Sequence, residues 1–135
     1  MKAHIARNQF SGVPTLLLWN FSTGDRGKMD GIADAFQMRV VPVAPDALGR
    51  TVDQLLGQPG TGTAFAGTAA PTPAMLMANF TDKQVDDLLA LCRQMEVNAP
   101  LKCLATASNR RWTFGYLLEH LAEEHAAFQS AQTKQ

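Results

Sequence analysis

The nine residues PTLLLWNFS, at positions 14–22, return 59 positions later as PAMLMANFT, at positions 73–81. Pro, Leu, Asn and Phe hold the same places in both copies, and Ser22 is exchanged for the similar Thr81. Each copy contains an apolar run of strand length that is followed by a residue type common at helix starts. A continuous apolar run indicates a strand that is covered on both faces or central in its sheet.

The residues after the first copy predict an amphipathic helix. Ser22 and Asp25 have the spacing of a capping box, which would start the helix at Thr23. Apolar residues then recur at helical spacing, at Met29, Ile32, Ala33 and Phe36.

A second strand and a short helix complete the first half of the chain. Residues 39–43 read RVVPV, and Pro42 removes one ladder donor, which favours a sheet edge or a strand end. Thr51 and Gln54 again have capping-box spacing and would open a short helix carrying Leu55 and Leu56.

The second half repeats this order of elements. Thr81 and Gln84 have the spacing of a capping box, residues 100–105 are strand-like, and a longer helix is predicted from Thr113. The first of these helices carries an apolar stripe of Val85, Leu88, Leu89, Cys92 and Met95. The apolar stripe of the second comprises Phe114, Leu117, Leu118, Leu121, His125 and Phe128.

The two halves together predict a single α/β domain spanning residues 1–135. It is built from two βαβα repeats, at about 14–57 and 73–128, joined by a Gly/Thr/Ala/Pro-rich flexible linker or long loop at about 58–72. Because one repeat alone would bury its apolar face poorly, we expect a pseudo-twofold arrangement. The repeats would then share one mixed sheet of about four main strands packed with helices.

The composition narrows the possible partners and the cellular location. Twelve basic residues balance twelve acidic ones, which disfavours binding to nucleic acid or to an anionic membrane. Two cysteines are too few for a disulfide framework or a four-ligand zinc site. Residues 1–12 lack the apolar region of a signal peptide, and no apolar run is long enough to cross a bilayer. The sequence therefore predicts a soluble cytoplasmic protein, in which residues 4–10 form either a short edge strand or an ordered tail.

The second half resembles a known family, and the turn TASNRRWT at residues 106–113 is the most specific part of the resemblance. Residues about 75–127 are similar to the bacterial domain of unknown function 3783. The family pattern is an apolar strand, a short turn, a helix, a second strand, a T-x-x-N-x-x-W-[TS] turn and an amphipathic helix. The resemblance implies the family fold and a bacterial intracellular origin, and it implies no activity. The first half has APDALGRT at residues 44–51 instead, which suggests a diverged copy of the same βαβα unit.

This turn is also the best candidate for a ligand site. It is predicted to lie at the N-terminus of the last helix, where unpaired N–H groups and the helix dipole attract anions. Two guanidinium groups could grip a carboxylate or phosphate, and an indole could form an apolar wall. The candidate ligand-binding residues are Asn109, Arg110, Arg111, Trp112, Thr113 and, at the related position of the first half, Arg50. In the structural alternative, Asn109 shapes the turn, Thr113 caps the helix, Trp112 fills the core and the arginines are solvated or ion-paired.

The remaining reactive side chains predict no catalytic site, metal site or cofactor. His120 and Glu124 share a helix face, but zinc needs at least three protein ligands and the sequence suggests no others. Cys92 and Cys103 lie at apolar positions of their elements, as small buried thiols do.

The sequence thus predicts an uncharacterised small protein that acts as a non-catalytic interaction or regulatory module. Such a module would form a homodimer or bind another protein, by extending the sheet or pairing the last helices. The alternative is a binder of a small anionic metabolite at residues 109–113.

Overall fold

The computed structural model describes residues 13–65, 67 and 69–133, so the segment at residues 4–10 lies outside the described part. The four strands there are β1 (Thr15–Trp19), β2 (Arg39–Val43), β3 (Ala74–Ala78) and β4 (Leu101–Leu104). The α-helices are α1 (Thr23–Phe36), α2 (Val52–Leu55), α3 (Asp82–Gln94) and α4 (Phe114–Thr133). None of these helices is both long and apolar enough to cross a membrane.

The strands form one mixed sheet in the order β2-β1-β3-β4. The pairs β1–β2 and β3–β4 are parallel, and the central pair β1–β3 is antiparallel. This confirms the predicted single α/β domain with a four-stranded mixed sheet. Pro42 lies in β2 at one sheet edge, where its missing N–H does not break a ladder.

Helices cover both faces of the sheet, which explains the continuous apolar runs of β1 and β3. On one face, α1 and α3 bury Met29, Ile32 and Leu88 against alternate strand residues. On the other face, α2 and α4 bury Val52, Phe114, Leu117 and Leu118. Every residue of β1 and β3 is buried, because side chains pointing to either face meet a helical layer.

The repeated Asn of the two opening motifs has a backbone role. Asn20 has φ 59° and Asn79 has φ 67°, the left-handed region that Asn tolerates better than most residues. This conformation ends each strand and turns the chain toward its helix. The hydroxyls of Ser22 and Thr81 then accept the backbone N–H three residues later, as the capping spacing predicts.

Two pairs of corresponding residues meet across the centre of the molecule. Leu17 and Leu76, which are 59 positions apart, are register partners in the β1–β3 ladder. Thr51 and Thr113, which are 62 positions apart, form an isolated antiparallel bridge. Residues separated by the two repeat spacings of the sequence therefore contact each other at two separate places.

At the ends of three helices, residues of the predicted apolar stripes are exposed instead of buried. Phe36 is 39% exposed, Met95 is 38% exposed and Phe128 is 61% exposed. The reason is clearest in α4, whose 20 residues span about 30 Å, whereas the four residues of β4 span about 13 Å. The last turns of α4 therefore extend beyond the sheet.

The segment between α2 and β3 is a long loop without a helix or strand among its described residues. The loop contacts the domain at several points. The indole N–H of Trp19 donates to the carbonyl of Ala70 at 2.9 Å, and the N–H of Thr63 donates to the carbonyl of Gly49 at 3.0 Å. A Cβ at Gly49 would lie 1.4 Å from the oxygen of Thr63, so this close approach requires glycine.

Candidate functional site

The predicted site turn contains a 3-10 helix, Asn109–Arg111, between β4 and α4. Asn109 is 7% exposed, and its Oδ1 accepts the N–H of Thr106 at 2.8 Å. Its Nδ2 donates to the carbonyl of Leu104 at 3.0 Å. Both ends of the amide therefore bond within the turn, which is the geometry of the structural alternative.

The backbone N–H groups at the start of α4 also have partners within the chain. The first three donate as follows: Phe114 to the carbonyl of Arg50 (2.8 Å), Gly115 to the carbonyl of Leu48 (3.0 Å) and Tyr116 to Oγ1 of Thr113 (3.3 Å). Thr113 thus caps the helix as predicted. These bonds use the donors on which anion binding at this helix start was predicted, so an anion would depend on the arginine side chains.

The three arginines of the predicted site do not converge on one point. Nη1 of Arg110 lies 3.8 Å from Oδ1 of Asp53, and the Arg111 side chain is exposed. Arg50 is exposed and lines a separate concavity of about 340 Å³ beside α2, together with Pro42, Asp46 and others. The backbone of Arg50 meets the start of α4, but its side chain belongs to a different surface.

Trp112 is the first member of an aromatic row that was not predicted. Its ring lies 4.9 Å from that of Tyr116 and 5.1 Å from that of His120, both edge-on. The Nε2 atom of His120 lies 3.4 Å from Oε2 of Glu124. The four-residue spacing of Tyr116, His120 and Glu124 was the available signal, since such residues are neighbours on one helix face, and Trp112 lies just before that helix. Within the described ranges, no group of three or more His, Cys, Asp or Glu side chains has metal-binding geometry.

Both thiols are less acidic than a free cysteine. Burial raises the pKa of Cys92, against the opposing effects of the positive charges of Lys102 and Arg93. Burial, and then the charge of Glu124, raises the pKa of Cys103 to about 12. Both side chains are therefore protonated at neutral pH, whereas the thiolate is the nucleophilic form.

Strand β4 forms the second edge of the sheet and contains no proline. The N–H groups of Leu101 and Ala105 donate to the chain beside it, at the carbonyls of Pro73 (3.3 Å) and Met77 (2.9 Å). Because a strand's backbone groups alternate in direction, the N–H groups of Lys102 and Leu104 point away from β3.

Apolar side chains flank this edge above and below the sheet. Leu104 is 43% exposed on the face covered by α3, and Phe128 is 61% exposed on α4. A shallow groove of about 190 Å³ lies between the start of β4 and α4, lined by Leu101, Leu121, His125 and Phe128 among others. A chain segment added at β4 would therefore find apolar contacts on both sides.

Residues 73–128 match the family model described as "Domain of unknown function (DUF3783)". This segment belongs to that family. The match confirms the family predicted from the TASNRRWT turn, and it spans β3, α3, β4 and most of α4. The turn, the aromatic row and the β4 edge all lie in the DUF3783 segment, whereas Arg50 and Asp53 lie outside it. Searches of curated proteins and of solved structures find no match to the chain.

Proposed function

We propose that the protein is a non-catalytic interaction module that binds through the β4 edge and its flanking residues Leu104 and Phe128. The observation that carries the proposal is the difference between the two sheet edges. The β2 edge contains Pro42, which discourages strand addition, whereas β4 has outward N–H groups and no proline. An edge of this kind accepts an added strand through main-chain hydrogen bonds.

A second copy of the chain is the proposed occupant of this surface. An identical β4 can pair antiparallel with the first, which gives the closed twofold contact typical of homodimers. The chain has a formal net charge of +0, so two copies do not repel each other over long range. Each copy would also bring its own exposed Leu104 and Phe128 to the contact.

The test is the concentration dependence of molar mass, measured by sedimentation equilibrium. We expect a reversible dimer for the wild type and a monomer for Leu104→Glu and Phe128→Glu. Phe36→Glu is the matched control, because Phe36 is a similarly exposed apolar residue at the end of α1. A wild type that is monomeric throughout would contradict self-association, and equal weakening by the control would contradict the assignment to β4.

We also propose that residues 14–57 are a diverged copy of the DUF3783 unit and that a pseudo-twofold axis relates the halves. The register partners Leu17 and Leu76 and the bridge between Thr51 and Thr113 support this arrangement. The DUF3783 match begins at residue 73 and does not include β1, so the unit alone would leave the buried strand β3 open. Residues 69–135 expressed alone should therefore dimerise through β3, and a folded monomer would contradict the repeat.

Binding of a small anionic metabolite by the side chains of Arg110 and Arg111 is the alternative proposal. Its support is the exposed Arg111 beside the partly exposed ring of Trp112. A thermal-shift screen with anionic metabolites would compare the wild type with Arg110→Ala/Arg111→Ala. The alternative fails if no anion stabilises the wild type more than the variant.

The location and the absence of catalysis are part of the same proposal. The two cysteines are free thiols, as is usual in the reducing cytoplasm, and this supports a cytoplasmic location. Their raised pKa values support a role without a cysteine nucleophile.

A further inference from the structure

An apolar cavity lies between α3 and β4, away from the predicted site turn. It has a volume of about 260 Å³, and its walls include Met75, Leu89, Cys92 and Val97. Small-molecule sites usually have volumes of about 300–1,000 Å³ and predominantly apolar walls with few polar groups. The cavity therefore suits a ligand somewhat smaller than a drug molecule.

Two cationic side chains line the same cavity. Arg93 comes from the last turn of α3, and Lys102 comes from β4. The ammonium group of Lys102 donates to the carbonyl of Ala99 at 2.8 Å, which holds it beside the cavity. An ammonium group has three N–H donors, so further donors remain for a ligand. No carboxylate of the described residues lies within 4.0 Å of either cation as an ion pair.

The carboxylate whose charge acts on Cys92 in the cavity wall is that of Asp25, and it has partners of its own. The carboxylate of Asp25 accepts the N–H of Asn98 at 3.0 Å and lies 3.5 Å from the ammonium group of Lys28. The carbonyls at the end of α3 also have donors, since those of Leu91, Cys92 and Arg93 accept N–H groups of residues 95–97. Arg93 and Lys102 therefore bring positive charge to the cavity wall without an ion-pair partner among the described residues.

We propose that this cavity binds a small amphipathic carboxylate, with its apolar body against Met75, Leu89 and Val97 and its carboxylate between Arg93 and Lys102. In the structural alternative, Arg93 interacts favourably with the dipole at the C-terminal end of α3, and Lys102 donates to the carbonyl of Ala99. It does not explain why both cations line the same apolar cavity. The corresponding positions of the first half, counted 59 and 62 residues back, are Asp34 and Val40, so the pair of cations belongs to the second half alone.

The test is an NMR titration of the full chain with hexanoate and, in parallel, with the neutral hexanamide. We expect saturable shifts of the backbone amides of Cys92, Val97 and Ala99 with hexanoate and at least tenfold weaker binding of hexanamide. Arg93→Gln and Lys102→Gln should each raise the Kd for hexanoate by about tenfold, the effect of losing one charge-assisted hydrogen bond. Both side chains are exposed, so the folded spectrum should persist in both variants.

Lys83→Gln is the matched control, because it removes the same charge from the exposed first turns of α3. Its Kd for hexanoate should stay within about twofold of the wild-type value. Lys83 lies at the opposite end of α3 from Arg93, and exposed charges so far from the cavity are largely screened. The proposal is overturned if hexanoate gives no saturable shifts at these amides or if hexanamide binds equally well. It is equally overturned if Lys83→Gln weakens binding as much as the two cavity variants do.

Discussion

The buried amide of Asn109 offers the sharpest test of what the TASNRRWT turn does. If the side chain holds the turn together, Asn109→Ala should destabilise the protein whether or not a ligand is present. The substitution removes the bond from the N–H of Thr106 and the bond to the carbonyl of Leu104. Each such bond contributes about 1 kcal/mol net, so we expect a loss of about 2 kcal/mol in the free energy of unfolding.

Two further variants separate the parts of this loss. Asn109→Asp keeps the acceptor for the N–H of Thr106 but has no donor for the carbonyl of Leu104. Its free energy of unfolding should therefore fall by at least half as much as that of Asn109→Ala. Ser108→Ala is the matched control, because Ser108 is exposed and makes no side-chain capping bond. Its free energy of unfolding should stay within about 0.5 kcal/mol of the wild-type value, as is usual for surface substitutions.

The measurement is urea unfolding followed by far-ultraviolet circular dichroism. A change in midpoint at constant slope reports a change in stability, whereas a changed slope reports an altered denatured or native state. Asn109→Ala within about 0.5 kcal/mol of the wild type would refute the structural role. With that result, the side chain of Asn109 would again be a candidate for ligand binding.

Three other predictions concern backbone packing and thiol ionisation. Gly31→Ala should stabilise α1 by up to about 1 kcal/mol, because its Cβ meets nothing within 4 Å and glycine is a poor helix former. Gly49→Ala should instead destabilise the protein in the same urea assay, because its Cβ would strike the carbonyl of Thr63. The pKa of Cys103 is raised to about 12 in the folded state, above the ordinary 9.0, so its stabilising contribution is complete below pH 9 and is lost toward pH 12. Native Cys103 should accordingly react with iodoacetamide at pH 8 more slowly than in urea, and equal rates would contradict the raised pKa.

The starts of the helices and the ends of the first strands were predictable because local chemistry sets them. The capping spacings at Thr51 and Thr81 produce capping boxes in which both reciprocal bonds are present. The repeated Asn of PTLLLWNFS and PAMLMANFT reaches a left-handed conformation that few other residues accept. Each of these features depends on residues within four positions of one another.

The anion hypothesis shows where such local reasoning ends. A helix start viewed alone has unpaired N–H groups, and this was the physical basis of the prediction. In the folded chain, the carbonyls of Leu48 and Arg50 reach the start of α4 from more than 60 positions away. The bridge between Thr51 and Thr113 brings them there, and no local pattern near residue 113 encodes it.

Comparison of the two halves at spacings of 59 and 62 positions supports the proposed α3–β4 cavity rather than the turn. Asn109 corresponds, 62 positions back, to Ala47, which ends the 3-10 helix Pro45–Ala47. The proline fixes φ in that turn, so the first half forms its turn by backbone restriction where the second uses an amide. This difference between APDALGRT and TASNRRWT therefore has a structural explanation.

The difference in charge beside α3 is not explained by turn geometry. The residue 59 positions before Arg93 is the acidic Asp34, and the residue 62 positions before Lys102 is the half-buried Val40. Neither cation has an ion-pair partner among the described residues, so neither is required to neutralise a nearby carboxylate. Two charges gained at the wall of an apolar cavity do not improve packing, because exposed lysine and arginine contribute little to stability. A ligand carboxylate would supply a counter-charge to both cations, and for that reason the α3–β4 cavity is a stronger candidate for binding than the turn.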